Sequence, residues 1–468
     1  MHGPLDMDAE ARLVVARRAS IRPWPSPPRR PSVVRPLSKH PICKSAPDVF
    51  ATYRQKTDMT IVAPDPTATI ELSLQSPPPR SNGSAGSVTP PFAHLKPLMK
   101  LGPHLLAKEI DWSDIVDIDD VDMLCDDSDS DEDERGEVTP EVVRLALSLT
   151  APGVLPPADV LAVTKIMMDS DNGFGTWHFN VLQVAAYLPR SVLSFLSVAM
   201  FAVLGYEDID LPVLAAFSAD IEAKYNREVI YHNADHAADV MHSFFAILRN
   251  TNLVALLSET HQIAGLLAAL MHDVQHFGLT NKYLKQAEHD LARTFPVCCP
   301  LEAMHSDVGL KVLSSHNLLK RFSPSLQADM RHTIHETIWT TSVCEQKRLL
   351  AALAAADRSS KEYLTLIVQI AVHVADLGQT SKPLHIHKVW VDRLHGELFL
   401  QGDLERARGW PLSIDCDRAQ GICPKSQTFF MEAFVVPAFS ALRNLPGMDD
   451  MDSPLRQVEH NIAHWKRV

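Results

Sequence analysis

An all-α domain is the expected fold for most of this 468-residue chain, and three observations carry that expectation. From Val138 onward apolar residues recur at helical spacing, and no comparable stretch alternates apolar and polar with period two. Two long apolar segments, His261 to Met271 and Lys361 to Asp376, have the length and periodicity of interior helices. Helix-start signals recur ahead of periodic stretches, as in Thr139-Pro140-Glu141 and Asp210-Leu211-Pro212.

The amino-terminal part reads differently. About half of the 33 prolines fall in the first hundred residues, in runs such as Pro23-Trp24-Pro25 and Pro77-Pro78-Pro79. Such a composition buries too little apolar surface to offset chain entropy, so residues 1–145 are expected to form a disordered regulatory tail. Its charge is split. Residues 1–108 hold 15 Lys and Arg against 7 Asp and Glu, whereas 109–137 hold 15 acids against Arg135 alone. Within the basic stretch, Arg17-Arg18-Ala19-Ser20 and Arg29-Arg30-Pro31-Ser32 resemble the pattern favoured by the cAMP-dependent protein kinase. Ser20 and Ser32 are therefore candidate phosphorylation sites, with a kinase as a candidate partner of the tail.

Residues 146–450 are expected to form the folded domain and 451–468 a carboxyl-terminal tail. The apolar run Ser191 to Gly205 is too short to span a bilayer and reads as a buried helix. Leu214, Phe217, Ile221 and Tyr225 then recur at helical spacing. Seven cysteines without zinc-type spacing suit a reduced chain, and the amino terminus lacks a signal-peptide core, so a cytoplasmic protein without a transmembrane segment is expected. The net charge of -13 and the acidic balance of the folded part argue against nucleic acid as a partner. A homodimer is compatible with this reading.

Chemistry concentrates in two histidine clusters, Tyr231-His232-Asn233-Ala234-Asp235-His236 and His272-Asp273-Val274-Gln275-His276. Each pair of imidazoles is spaced i, i+4, which on a helix places both on one face. His272 and Asp273 follow the apolar segment, and Asp376 ends the other one. Burying these groups without a partner costs several kcal/mol, so a divalent cation held by His236, His272, Asp273 and Asp376 is the economical explanation. Asp273 can also reach a second, harder ion. Two such ions hold a water, lower its pKa and present hydroxide to phosphorus, while His232 suits the general acid.

Longer blocks give these residues a family context. Tyr231 to Val240, and His272 to Tyr283 with His-Asp-aliphatic-x-His-x-Gly-x-x-Asn-x-aromatic spacing, resemble the signatures of the class I cyclic nucleotide phosphodiesterases. Leu301-Glu302 with His305, His373 to Leu377, Ser381 to Leu384, Trp390 to Arg393, Gln401 to Arg406 and Lys425-Ser426-Gln427 resemble further blocks in family order, over about residues 155–445. The resemblance implies an HD-type metal phosphohydrolase domain of about sixteen helices that opens cAMP or cGMP to the 5'-monophosphate. It also implies Zn2+ on His236, His272, Asp273 and Asp376, and Mg2+ or Mn2+ sharing Asp273. His232 then protonates O3', and His276, Glu302 and Thr341 lie near metal-bound water. Tyr231, Gln379, Leu394, Gln427 and Phe430 line the substrate, with the Gln427 amide on the purine edge and Phe430 stacked on the base.

Four positions depart from the family pattern. Gln275 and Ser342 replace frequent acids, while Gln379 and His387 replace an asparagine and a tyrosine near the base. A glutamine amide offers both donor and acceptor, and the kinase-like serines suggest a cAMP circuit, so cAMP is favoured over cGMP. The competing readings are a catalytically weak cyclic-nucleotide-binding scaffold or sensor, and a phosphohydrolase of broader specificity.

Overall fold

The computed structural model describes residues 137–468, whose regular elements are all helical, with no strand among them. Ser20, Ser32, the proline-rich stretch and the acidic run lie outside the described residues. In chain order the helices are α1 (Pro140–Thr150), α2 (Pro157–Met167), α3 (Val181–Tyr187), α4 (Val192–Leu204), α5 (Leu211–Lys224), α6 (Ala234–Asn250), α7 (Leu253–Leu256), α8 (Glu259–Met271) and α9 (Asn281–Gln286). They continue as α10 (Asp290–Thr294), α11 (Pro300–His316), α12 (Pro324–Thr341), α13 (Gln346–Ala355), α14 (Lys361–Asp376), α15 (Leu384–Ala407), α16 (Pro424–Phe430), α17 (Val436–Arg443) and α18 (Asp452–Trp465). A π-helical turn, Met431–Val435, joins α16 to α17.

The start signals act as their chemistry dictates. Thr139 and Asp210 accept hydrogen bonds from Val142 N and Val213 N, capping α1 and α5. Helix α8 is the hub: α6, α12 and α14 all pack against it, and every residue from Ile263 to Met271 is buried. Gly265 permits that closeness, because a Cβ there would lie 2.4 Å from Cζ of Phe244 on α6. The apolar run of α4 is likewise buried, and among the described residues no single helix is long and apolar enough to cross a membrane.

Both ends of the folded region extend past residues 146 and 450. Helix α1 begins at Pro140 because Val143, Ala146 and Leu147 are buried. Helix α18 lies within the stretch set apart as a tail, and it is tied down by polar contacts. Asn461 is fully buried and its Nδ2 donates to the carbonyls of Thr380 (2.8 Å) and Lys382 (3.0 Å). Those carbonyls belong to the segment that follows Asp376, so α18 braces the chain leaving the candidate metal site.

Asn461→Ala would leave both carbonyls buried and unpaired, and is expected to lower stability by about 2–4 kcal/mol. A urea titration showing a loss under about 0.5 kcal/mol would remove the bracing role from α18.

Candidate metal centre and base pocket

The histidine pairs do not share helices as their spacing suggests. Asn233 caps α6, its side-chain oxygen accepting from Asp235 N and His236 N, so His236 opens the helix while His232 lies ahead of it. Helix α8 ends at Met271, and Gln275 then adopts φ 64°, a left-handed turn that takes His276 off the helix axis. Helix termini therefore bring the clusters together, and each polar side chain projects from a place where the backbone turns.

Four of the candidate ligands converge. His236 Nε2 lies 3.0 Å from Asp376 Oδ1 and 3.6 Å from Asp273 Oδ2. His272 Nε2 lies 3.1 Å from Asp273 Oδ2, 3.5 Å from Asp376 Oδ1 and 3.4 Å from His236 Nε2. A tetrahedral ion with ligands at about 2.0–2.1 Å has ligand-to-ligand edges of about 3.3–3.4 Å, so these separations fit a zinc-sized cation. The tautomer agrees. His272 Nδ1 lies 2.8 Å from the Ala269 carbonyl, which can only accept, so Nδ1 carries the proton and Nε2 turns its lone pair toward the cluster. Burial raises the pKa of the Asp376 carboxyl, but His272 and His236 outweigh it and hold the group below its usual range. Tyr225, unremarked in the sequence beyond its spacing, sets the Asp273 backbone: its hydroxyl donates to Leu270 O and accepts from Asp273 N.

The other oxygen of Asp273 faces a second donor set. His305 Nδ1 lies 2.6 Å from the Val274 carbonyl, which leaves the Nε2 lone pair 3.6 Å from Asp273 Oδ1. Burial pushes the His305 pKa down to about 4, so two acceptors face one another, an arrangement that suits an intervening cation or its water. Asp273, His276 and His305 offer ligand atoms within 4.8 Å of one another. Asp273 is thus the residue both sites can share.

Nearby, Glu302 on α11 accepts from Asn281 Nδ2 at 2.7 Å, and burial raises its pKa. Thr341 is buried with its hydroxyl donating to Ile338 O, 2.8 Å away. Ser342, which stands in place of an acid, is near enough to Glu302 to oppose the rise that burial causes. Gln275 is exposed.

His232 has a partner that sequence reasoning missed. Glu397 on α15 places Oε1 2.5 Å from His232 Nδ1, and its Oε2 accepts from Tyr231 N and His232 N. Burial disfavours the imidazolium, yet Glu397 and Asp273 raise the His232 pKa to about 9. Glu397 itself falls to about 2 as His232 overcomes the cost of burial. His276 stacks on His232 with ring centroids 4.2 Å apart, and its Nδ1 accepts from Gly278 N. Burial and the neighbouring His232 charge depress the His276 pKa to about 3. Tyr231 packs over His236 at 4.5 Å between centroids, with Trp390 at 5.7 Å.

Two glutamines face histidines, and each orientation follows from a group that can act in only one sense. The Val391 carbonyl takes the Nδ1 proton of His395 at 2.9 Å, so His395 Nε2 accepts from Gln427 Nε2 at 3.3 Å. Gln427 Oε1 is left for other partners. The Trp465 indole N–H, a donor only, bonds His387 Nε2 at 2.9 Å, so His387 Nδ1 donates to Gln379 Oε1 at 2.8 Å. The sequence suggested that Gln379 would offer donor and acceptor alike; its oxygen is committed to His387, which leaves its Nε2 hydrogens. Leu394 packs with Tyr231 and Trp390, while Phe430 leans on Phe434 at 5.6 Å and packs against the main core.

Residues 231–458 match the sequence profile described as 3'5'-cyclic nucleotide phosphodiesterase. These residues are similar to the catalytic domain of that family. The chain is similar to the "3',5'-cyclic-AMP phosphodiesterase 4C" of Mus musculus and of Rattus norvegicus, each 28% identical over 292 residues and 59% of this chain. Those matches cover 43% of the mouse protein and 54% of the rat protein, so the chain spans about half the length of these relatives. The phosphodiesterase match runs to residue 458 and so enters α18. Glu397 and His395, and Tyr225 beyond its helical spacing, are residues of the candidate site that the sequence did not single out. Glu397 had one visible sign, an acid within Leu394 to Leu400, a stretch whose only other polar side chain is His395.

Burial lowers the His387 pKa from near 6.5 to about 4, and the Trp465 indole N–H on Nε2 can bond only the neutral ring. The unfolded chain therefore binds the extra proton between those values, and stability is fully present above about pH 6.5 and lost as pH falls toward 4. Trp465→Phe is expected to flatten that loss, by up to about 1.4 kcal/mol per pH unit. Equal slopes for both chains in urea titrations from pH 6.5 to 4 would contradict the Trp465–His387–Gln379 relay.

Proposed function

We propose that the domain hydrolyses a 3',5'-cyclic nucleotide to the 5'-monophosphate and so ends a cyclic nucleotide signal, with cAMP favoured over cGMP. The observation that carries this reading is the His232–Glu397 pair at 2.5 Å beside the cluster of His236, His272, Asp273 and Asp376. Zn2+ on those four ligands and Mg2+ or Mn2+ at the far side of Asp273 would supply a water of lowered pKa and neutralise charge on the phosphate. The donor set supports two ions, since Asp273 presents one oxygen to each group of ligands.

The chain's own residues account for the rest. Glu397 engages His232 Nδ1 and keeps a proton on the ring, so Nε2 is the atom free to donate to the leaving O3'. The His232 side chain is 27% exposed, which leaves it reachable by substrate, whereas Glu397 is almost fully enclosed. A bound cation near Asp273 and Asp376 offsets the part of the raised His232 pKa owed to those carboxylates. The part owed to Glu397 persists.

Gln427 Oε1 and Gln379 Nε2 offer an acceptor and a donor to the purine edge, and Phe430 with Leu394 offers apolar faces to the ring. The cAMP preference rests on the similarity to cyclic-AMP phosphodiesterases and on the kinase-like serines of the tail. A cytoplasmic location and regulation by the tail complete the proposal. The scaffold alternative is disfavoured because each proposed ligand and the His232–Glu397 pair are present.

Purified full-length chain, supplied with zinc and magnesium, is expected to turn over cAMP with a higher kcat/KM than cGMP, and a simple phosphodiester poorly. His232→Ala is expected to lower kcat by about 10²–10⁴ with little change in folding. Absence of turnover on either cyclic nucleotide, with substrate still bound, would replace the enzyme by the sensor; a higher kcat/KM for cGMP would reverse the preference.

Glu397→Gln keeps the shape but loses the charge that holds the His232 proton. Its kcat is expected to fall by about 10–100-fold while KM moves little. An unchanged kcat across pH would remove Glu397 from the proton-donating pair.

A further inference from the structure

Three thiols gather beside Glu302, outside the ligand clusters. Cys299 is buried at the amino-terminal end of α11, three residues ahead of Glu302. Cys344 is exposed in the turn Val343–Glu345, directly after Thr341 and Ser342. Their Sγ atoms lie 3.2 Å apart although the residues are 45 positions apart in sequence. Cys298 Sγ lies 3.6 Å from Cys299 Sγ and 3.9 Å from Glu345 Oε1. Cys344 Sγ also lies 3.4 Å from the hydroxyl of Ser342, a neighbour of Glu302 that favours its ionised form.

Such a group has two readings, a thiolate metal site or a dithiol. Around a tetrahedral ion with Zn–S of about 2.3 Å the sulfurs stand about 3.8 Å apart, wider than the 3.2 Å between Cys299 and Cys344. A disulfide needs about 2.05 Å, which small side-chain rotations can supply. Exposure separates the partners usefully. Cys344 is reachable from solvent, and the Cys299 hydrogen bond brings its pKa down to about 7 against the effect of burial, so its thiolate is populated near neutrality.

We propose that Cys299 and Cys344 form a redox-active dithiol, oxidised by a peroxide, that couples the α11 terminus bearing Glu302 to the Thr341–Ser342 segment. The Cys344 thiolate attacks one peroxide oxygen, the O–O bond breaks, and hydroxide leaves to become water on taking a proton. The resulting sulfenic acid is attacked by Cys299 sulfur; the S–O bond breaks, the S–S bond forms, and a second water leaves. Two thiols lose two electrons and one peroxide gains them. The bond pulls both segments toward each other and shifts Ser342 against Glu302, weakening the second cation's water shell. That last consequence rests on the proposed function; the disulfide itself does not.

The test uses the full-length chain, reduced, moved to thiol-free buffer and treated with stoichiometric hydrogen peroxide. Peptide mapping without reductant is expected to find a Cys299–Cys344 linked peptide, absent from Cys344→Ser. The magnesium concentration for half-maximal cAMP hydrolysis is expected to rise by about tenfold and to return with dithiothreitol, while Cys344→Ser stays constant. Linkage through Cys298 instead, oxidation to sulfinic acid without linkage, or stoichiometric zinc on the three thiols overturns the dithiol. A linked peptide with an unmoved magnesium requirement overturns the coupling to Glu302. Because the peptide is read by mass, a chain without hydrolytic activity still decides the dithiol, and such inactivity counts against the proposed function alone.

Discussion

The mutual approach of His236, His272, Asp273 and Asp376 is the constraint on which the rest of the domain depends. Two buried imidazoles with nitrogens 3.4 Å apart meet the buried Asp273 carboxylate and the part-buried Asp376 carboxylate within 3.6 Å, a grouping that costs several kcal/mol in the absence of compensating charge. Helices α6, α8 and α14 are held to that geometry by the apolar packing around α8, with Gly265 allowing Phe244 to close in. The apolar core thus works as a jig. It places three helix termini at one point, and the termini, where backbone turns, are where polar side chains can leave the core.

Around this point the structure fixes protons by pairing each ring with a group that acts in one sense only. Ala269 O, Val274 O and Val391 O take the Nδ1 protons of His272, His305 and His395, and the Trp465 indole sets His387. Glu397 does the opposite for His232, favouring the charged ring. Neighbouring histidines 4.2 Å apart therefore take opposite states, His232 raised to about 9 and His276 lowered to about 3. In the proposed hydrolysis that division would separate a proton donor from a ring that stays neutral beside the cation site.

The helical class was legible in the sequence, and the candidate ligands that converge stood out there, because both leave local marks. Lys361 to Asp376 was bounded correctly by its apolar period, and His272 with Asp273 stood out as polar residues closing an apolar run. What it concealed is non-local or backbone-dependent. Glu397 is 165 positions from His232, and no periodicity links them. The i, i+4 spacing misled for His232 and His276, because the Asn233 cap and the φ 64° turn at Gln275 remove both from helices. Gln379 and His387 stand out in the sequence as departures near the expected base pocket, but their third partner, Trp465, lies in the stretch expected to be a carboxyl-terminal tail. The α18 amphipathic pattern is short, and its significance comes from Asn461 meeting carbonyls some eighty positions away.

The central claim is that the four converging side chains hold a cation and that the fold is organised to present it. Anomalous diffraction from crystals grown with zinc, recorded above and below the zinc absorption edge, tests this without reference to activity. The account predicts a strong peak about 2.0–2.2 Å from His236 Nε2, His272 Nε2 and oxygens of Asp273 and Asp376. No peak there at full zinc occupancy elsewhere, or zinc confined to the cysteines near Glu302, would contradict it.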